Sequence, residues 1–207
     1  MAHAGRGDLL RAFAYEREDY LRRALEEGGY RLVRYHFFME IMLGNEFPMP
    51  VWPQGIEVRA FRPEDEQAVY EAIMEAFRDH WDFQAEPRPH WRQRTLERDD
   101  FDPALWLIAW DGHEVAGFSL NTWHFSGDPR YGWVGSLGVR RPWRRRGLGS
   151  ALLRASFSEF AARKATRVGL GVDAENVTGA VRLYERAGMT VQRRFDIYQK
   201  AVESTPG

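Results

Sequence analysis

The chain has 207 residues and a net charge of −1, and 44% of its residues are hydrophobic. This length predicts one generous domain, or one domain plus a piece, and the near-neutral charge gives no general attraction to nucleic acid or to an anionic membrane. The absence of cysteine excludes disulfides and thiol catalysis. No apolar run approaches the roughly 20 residues of a membrane span, and the first residues contain no apolar signal region. We therefore expect a cytoplasmic protein that binds neither nucleic acid nor membrane.

The first 55 residues predict a helix, a strand and a linker. Apolar residues at helical spacing favour a helix from about Asp8 to Glu27, which Gly28-Gly29 would end as a C-cap. An apolar run from Tyr30 to Leu43 favours a strand. The Pro-rich stretch at residues 47–55 has the composition of a linker.

A complete domain is predicted over residues 56–203. It opens with an alternating strand at Ile56–Phe61, and Pro63 with the acids after it is typical of a helix start. Two apolar runs, Leu105–Trp110 and Val115–Trp123, predict a hairpin, because the Asp-Gly pair between them is a strong turn signal.

A strand, a loop rich in Gly and Arg, and a helix follow one another in the second half of the chain. The strand is predicted at Tyr131–Val139, and the helix begins near Leu148. Glycines let a ligand approach the backbone, and the first N–H groups of a helix are unpaired at the positive end of its dipole. Arg144, Arg145 and Arg146 add full charges. We therefore expect a site for a phosphate or pyrophosphate.

Two motifs carry a family resemblance. The loop has neither the Lys of a P-loop nor the third Gly of the dinucleotide fingerprint. Its pattern Arg144-x-x-Gly147-x-Gly149 resembles the acyl-CoA pyrophosphate loop of the GNAT superfamily of N-acyltransferases. Residues 176–189 resemble the family's second motif, N-x-x-A-x-x-L-Y-x-x-x-G-F, with Met189 in place of Phe. The strand Thr166–Val172 separates the two motifs, as in the family.

The resemblance implies an α/β fold with a mixed, splayed central sheet and helices on both faces. Acetyl-CoA would be the co-substrate, with its pantetheine arm between the parallel strands at 131–139 and 166–172. The residues it implies for binding acetyl-CoA are Leu137, Gly138, Val139, Arg144, Arg145, Arg146, Gly147, Leu148, Gly149, Ser150 and Asn176. Residues 78–91 would help to bind the acceptor, a small-molecule or peptide amine, although their aromatic side chains are equally typical of loop anchors.

Transfer of an acetyl group to an amine needs a deprotonated amine, a hydrogen-bond donor for the oxyanion and a proton for the leaving thiolate. The resemblance implies that the Val139 N–H is the donor and that Tyr184 protonates the thiolate. Many GNAT enzymes place a Glu base in the strand before the loop, but Tyr131–Val139 contains no acid. We take Asp173 as the candidate base, with His124, Asp128, a water chain or an already deprotonated acceptor as open alternatives.

The opening segment repeats the end of the chain. Residues 16–30 align with 175–189, so that Gly29 falls on Gly188, and both copies continue as a strand. We therefore interpret residues 1–46 as the end of a first GNAT domain, in a tandem-GNAT arrangement. This copy lacks the arginine loop, so we predict one acetyl-CoA per chain. Its apolar strand needs cover, either from the full domain's sheet or from a second chain, and we expect a homodimer.

Two other functions fit parts of the sequence. A non-catalytic acyl-CoA-binding domain would explain the missing acid in the strand before the loop. The Arg run would also suit a nucleic-acid or localisation patch, although such a patch requires neither glycines nor a strand–helix boundary. We predict no metal site, because the histidines stand outside any H-E-x-x-H context.

Overall fold

The structure is a computed structural model that describes residues 9–44, 49–81, 83–123, 127–176 and 178–202. The strands are β1 Leu9–Tyr15, β2 Arg31–Met42, β3 Ile56–Ala60, β4 Trp106–Asp111, β5 Glu114–Trp123, β6 Tyr131–Val139, β7 Arg167–Asp173 and β8 Thr190–Ala201. The helices are α1 Asp19–Glu27, α2 Glu66–Phe77, α3 Arg88–Thr95, α4 Leu148–Ala162 and α5 Ala180–Arg186. None of the helices in these ranges is long and apolar enough to cross a membrane.

All eight strands form one mixed sheet in the order β1-β8-β2-β7-β6-β5-β4-β3. Only β6 and β7 are parallel, and the other neighbours are antiparallel. Two successive residues of β5 show which helices cover each face: Phe118 packs in one cluster with residues of α2 and α3, whereas Ser119 hydrogen-bonds Ser156 of α4. The predicted α/β fold, with helices on both faces of a mixed sheet, is confirmed. The hairpin is also confirmed, with Gly112 at φ 59° in its turn.

The prediction of one helix from Asp8 to Glu27 is wrong in its first half. Leu9–Tyr15 is strand β1, which pairs antiparallel with β8 along its whole length, and α1 begins only at Asp19. The burial alternates as it does in a strand, since Ala14 is 2% exposed and its neighbour Phe13 is 55% exposed. A seven-residue run is too short for periodicity alone to separate helix from strand, and the free edge of β8 decides the outcome.

The helix–glycine–strand repeat is present in the structure as two similar units. In each unit the helix ends at a left-handed glycine, Gly29 with φ 80° or Gly188 with φ 95°. The next residue donates its N–H across the glycine to the helix, from Tyr30 to Leu25 and from Met189 to Tyr184, at 2.9 and 3.0 Å. Both units continue as twelve-residue strands, which pair with each other. That residues 1–46 derive from a first GNAT domain stays a prediction.

Strand β2 is an internal strand of the sheet. It lies between β7 and β8 and pairs with both. Its Met39 is 0% exposed and packs in the same cluster as Phe157 of α4 and Tyr184 of α5. The opening segment therefore completes the core beside the second GNAT-like motif.

Met39→Ala is expected to lower the free energy of unfolding by about 2–5 kcal/mol, since it leaves a cavity in this core. Met42→Ala is the matched control on the same strand, because Met42 is 70% exposed and a surface change typically costs about 0.5 kcal/mol or less. Urea denaturation of both variants would measure the difference. Equal stabilities would mean that β2 is not part of the core.

Candidate active site

The loop between β6 and α4 is held in place by its first half. After β6 ends at Val139, residues Arg141–Trp143 form a short 3-10 turn. Trp143 is buried, and its indole N–H donates a 2.8 Å hydrogen bond to Asp111 at the end of β4. This anchor fixes the loop against the rim of the sheet.

The arginines of the loop divide into two groups. Arg140 pairs with Glu75 at 2.6 Å and Arg141 with Asp79 at 2.5 Å, so both tie the loop to the end of α2. Arg144 donates to the carbonyl oxygens of Val139 and Ala76, at 3.0 and 3.2 Å. Of the three arginines predicted to bind phosphate, Arg144 therefore also shapes the loop itself.

Arg145 and Arg146 form the second group. Both are exposed, and neither takes part in an ion pair found among the described residues. Gly147 follows them with φ 86°, a left-handed conformation, and a Cβ added there would meet open space. Two unpaired cations and an open glycine thus stand together at the start of α4.

The N-terminus of α4 points its free N–H groups into this opening. Ala151 donates the first helical bond to the Gly147 carbonyl at 3.1 Å, so the N–H groups of Leu148, Gly149 and Ser150 have no partner within the helix. The Leu148 side chain is 1% exposed and belongs to the core, so only its backbone can serve a ligand. Together with Arg145 and Arg146, this helix end fits a pyrophosphate.

A slot begins where β6 and β7 separate. The two strands pair from Tyr131↔Arg167 only as far as Val134↔Leu170, although both continue beyond that point. At the same place the register of β6 against β5 shifts and leaves Gly135 as the extra residue of a β-bulge. The opening has a volume of about 200 Å³ and fits a narrow chain such as a pantetheine arm. The slot contains the predicted residues Leu137, Asp173, Asn176 and Tyr184.

Tyr184 lies on α5 and is 7% exposed. Burial raises the pKa of Tyr184 to about 12. Its hydroxyl therefore stays protonated at neutral pH and can donate a hydrogen bond or a proton within the slot.

Two other residues that were predicted to bind acetyl-CoA have structural roles. Asn176 accepts the Thr178 N–H at 2.8 Å, which shapes the turn before α5, and it also lines the slot. Gly138 makes room for packing, because a Cβ there would lie 2.3 Å from the ring of Phe118. Of the remaining predicted residues, Val139 ends β6 and Gly149 and Ser150 lie in the first turn of α4.

The candidate bases are in different places. Asp173 lines the slot, but its carboxylate accepts two hydrogen bonds from Arg34 of β2, both at 3.0 Å. Asp128 precedes the other end of β6 and pairs with Arg167 at 3.1 Å. His124 lies outside the described residues. The structure thus brings Asp173, but not Asp128, to the slot. The negative charge of Asp173 is already paired with Arg34.

Two histidines line the slot, and neither of them was assigned an individual role from the sequence. His36 comes from β2 and His80 from the segment after α2. Burial lowers the pKa of both, so each is largely neutral at pH 7. His80 falls within the stretch 78–91 predicted to bind the acceptor, where Trp91 is instead a core residue at 2% exposure. No local pattern around His36 indicates a site, since β2 reaches the slot only through the sheet.

Comparisons with known proteins identify the family. A sequence model described as "Acetyltransferase (GNAT) family" matches residues 67–189. The chain is 34% identical over 201 residues to a protein of Salinispora arenicola named mycothiol acetyltransferase, which covers 93% of this chain and 63% of that protein. The chain thus spans less than two thirds of that relative.

Solved structures show the same likeness. A GCN5-related N-acetyltransferase from Sphaerobacter thermophilus superposes with a TM-score of 0.83 and 36% identity, over 99% of this chain and 63% of that one. A tandem GNAT protein from the clavulanic acid biosynthesis pathway has a TM-score of 0.71 at 14% identity, over 96% of this chain and 65% of that one, which shows the fold alone. By sequence and by fold, this chain belongs to the GNAT acetyltransferase family.

Proposed function

We propose that this chain transfers an acetyl group from acetyl-CoA to a primary amine of a small-molecule or peptide acceptor. The observation that carries the proposal is that strand β6 joins two features: its Leu137 lines the slot that also contains Tyr184, and its last residue, Val139, leads into the arginine loop at the start of α4. The name of the relative in Salinispora arenicola, mycothiol acetyltransferase, supports acetyl transfer.

Each part of the site has a separate task in this reaction. Arg145, Arg146 and the first N–H groups of α4 would hold the pyrophosphate. The slot walls would align the thioester with the amine, which replaces a bimolecular encounter by a positioned one. Val139 stays the predicted donor to the thioester oxygen. Tyr184 would give its hydroxyl proton to the leaving sulfur.

A free-thiol assay with acetyl-CoA and a panel of amines and amino acids tests the proposal. We expect thiol release that depends on the amine, with an acetylated product detected by mass spectrometry. Tight binding of acetyl-CoA without turnover of any amine would favour the alternative, a non-catalytic acyl-CoA-binding domain. That alternative draws support from the missing acid in β6.

One acetyl-CoA is expected to bind per chain. The repeat places Leu25 where the full motif has Tyr184, and the segment before it contains no arginine loop. A calorimetric titration would give a stoichiometry near one. Two sites per chain would contradict the assignment of residues 1–46 as a segment without a site of its own.

The homodimer and the cytoplasmic location remain predictions. Support for a partner comes from β1, which is an edge strand of the sheet. Its large side chains are exposed: Leu9 by 50%, Leu10 by 48%, Phe13 by 55% and Tyr15 by 44%. Exposed apolar edges are prone to pair with another chain.

A further inference from the structure

We propose that His36, supplied by strand β2, is the base that deprotonates the acceptor amine. This inference rests on the proposed acetyl transfer. It assigns a catalytic residue to the opening segment of the chain, outside both GNAT motifs. Strand β6 contains no acid that could deprotonate the amine, and His36 would take that role.

The topology of the sheet places His36 at the slot. In the antiparallel ladder of β2 and β7, His36 is the direct partner of Asp173. Directly paired residues lie on one face of a sheet, and the ladder of β6 and β7 puts Trp133 on the same face through Gly169. His36 and Tyr184 line the same slot, so a proton acceptor and a proton donor both border the space where the thioester would lie.

The surroundings of the imidazole keep it neutral and leave one nitrogen for the acceptor. The ring stacks on Phe195 of β8, with centroids 5.1 Å apart and planes 15° from parallel. Nδ1 is buried and has no hydrogen-bond partner among the described residues. Since Nδ1 is closed off, Nε2 is the nitrogen that remains for a molecule in the slot. A neutral ring with its proton on Nδ1 has a free lone pair on Nε2.

The surroundings of the His36 ring favour its neutral form, so the ring would carry a charge only while it holds the proton of the amine. Burial is the largest influence and disfavours the protonated ring, Asp173 of β7 favours it, and Arg34 of β2 and Arg11 of β1 disfavour it. The stacked β8 residue, Phe195, is uncharged. The pKa of His36 therefore lies below its ordinary value, so the neutral form is present at pH 7 and is lost as the pH falls through that lowered pKa.

His36 and Tyr184 together account for every proton that the reaction moves. Nε2 of His36 takes one proton from the acceptor ammonium, and the freed amine nitrogen then forms the C–N bond while the C–S bond breaks. The sulfur takes the hydroxyl proton of Tyr184, and the second proton lost by the nitrogen restores that hydroxyl. His36 returns its proton to solvent, so the products are an amide, a thiol and one released proton.

Asp173 is the weaker candidate for the same step. Its two oxygens are engaged by Arg34, and Glu175 reinforces that arginine at 2.9 Å. Both carboxylate oxygens of Asp173 therefore already accept hydrogen bonds from a fixed guanidinium. Asp173 and Arg34 instead form an ion pair with each other, at the strand position that His36 faces.

The first experiment needs no turnover. Nitrogen-15 spectra of the histidine rings in the ligand-free protein, assigned with His36→Gln and His80→Gln, report protonation and tautomer. We expect the His36 ring to be neutral at pH 7. A ring that is charged at pH 7 would overturn the proposal.

The second experiment follows the rate against pH. In the wild type, kcat/KM for the amine should fall on the acid side as His36 becomes protonated. His36→Gln should lower kcat by about 10²–10⁴-fold and remove that acid limb, while calorimetry shows unchanged affinity for acetyl-CoA. His80→Gln should keep the limb.

Two outcomes of the rate measurements count against His36. An acid limb that persists in His36→Gln with a near-normal kcat, or that disappears in His80→Gln instead, rejects it as the base. Wild-type protein that binds acetyl-CoA and turns over none of the amines rejects the acetyl-transfer function as well, so the two failures are distinguishable.

Discussion

Gly147→Glu is expected to abolish acetyl-CoA binding while the protein stays folded. The new carboxylate would stand beside the first N–H groups of α4, where the pyrophosphate belongs. Two like charges ~4 Å apart at an effective dielectric constant near 20 repel by about 4 kcal/mol, which corresponds to roughly a thousandfold loss of affinity. Isothermal titration calorimetry would measure the loss, and circular dichroism would verify the fold.

Two control variants separate charge from backbone strain. Gly127→Glu introduces the same residue at another left-handed glycine, φ 79°, which lies before the opposite end of β6 and where an added Cβ would meet nothing within 4 Å. Gly147→Asn keeps the site neutral, and Asn tolerates the left-handed conformation better than most residues. Both should retain measurable binding. Wild-type affinity in Gly147→Glu would mean that the pyrophosphate binds elsewhere.

Tyr184→Phe is expected to lower turnover by about 10²–10⁴-fold, the usual cost of losing a general acid, with little change in acetyl-CoA affinity. The ring remains, so the packing of this nearly buried side chain is kept. Steady-state rates in the thiol assay, combined with calorimetry, separate the two effects. Near-normal turnover would leave Tyr184 with a packing role alone.

Tyr198→Phe is the matched control. Tyr198 is also buried, but its hydroxyl contacts Glu26 of α1 at 3.3 Å, and it does not line the slot. The pH profile adds a further check. Because burial raises the pKa of Tyr184 to about 12, its proton is lost only near that pH, and the wild-type rate should show no fall from this residue up to about pH 10.

The local motifs carried most of the correct predictions. The loop from Arg144 to Gly149 and the helix with Tyr184 were recognisable, because an anion site at a helix start needs glycines and cations close together in the chain. The Asp-Gly turn and the parallel strands around α4 follow from rules of the same local kind. Family membership and the α/β fold rest on these short segments.

Features that depend on distant partners were decided by the folded sheet. Residues 9–15 have helical spacing, yet they become strand β1 because β8 presents a free edge to them. Arg144 was indistinguishable from its two neighbours in the sequence, and the carbonyl oxygens of Val139 and Ala76 give it a structural task.

His36 shows the same limit at the site itself. It stands 148 positions before Tyr184, and neither residue's neighbours in the chain point to the other. The two line one slot because β2 is inserted between β7 and β8. Chain order specifies which short segments can form, but pairing between strands remote in sequence depends on which edges are exposed and which side chains fill the shared core.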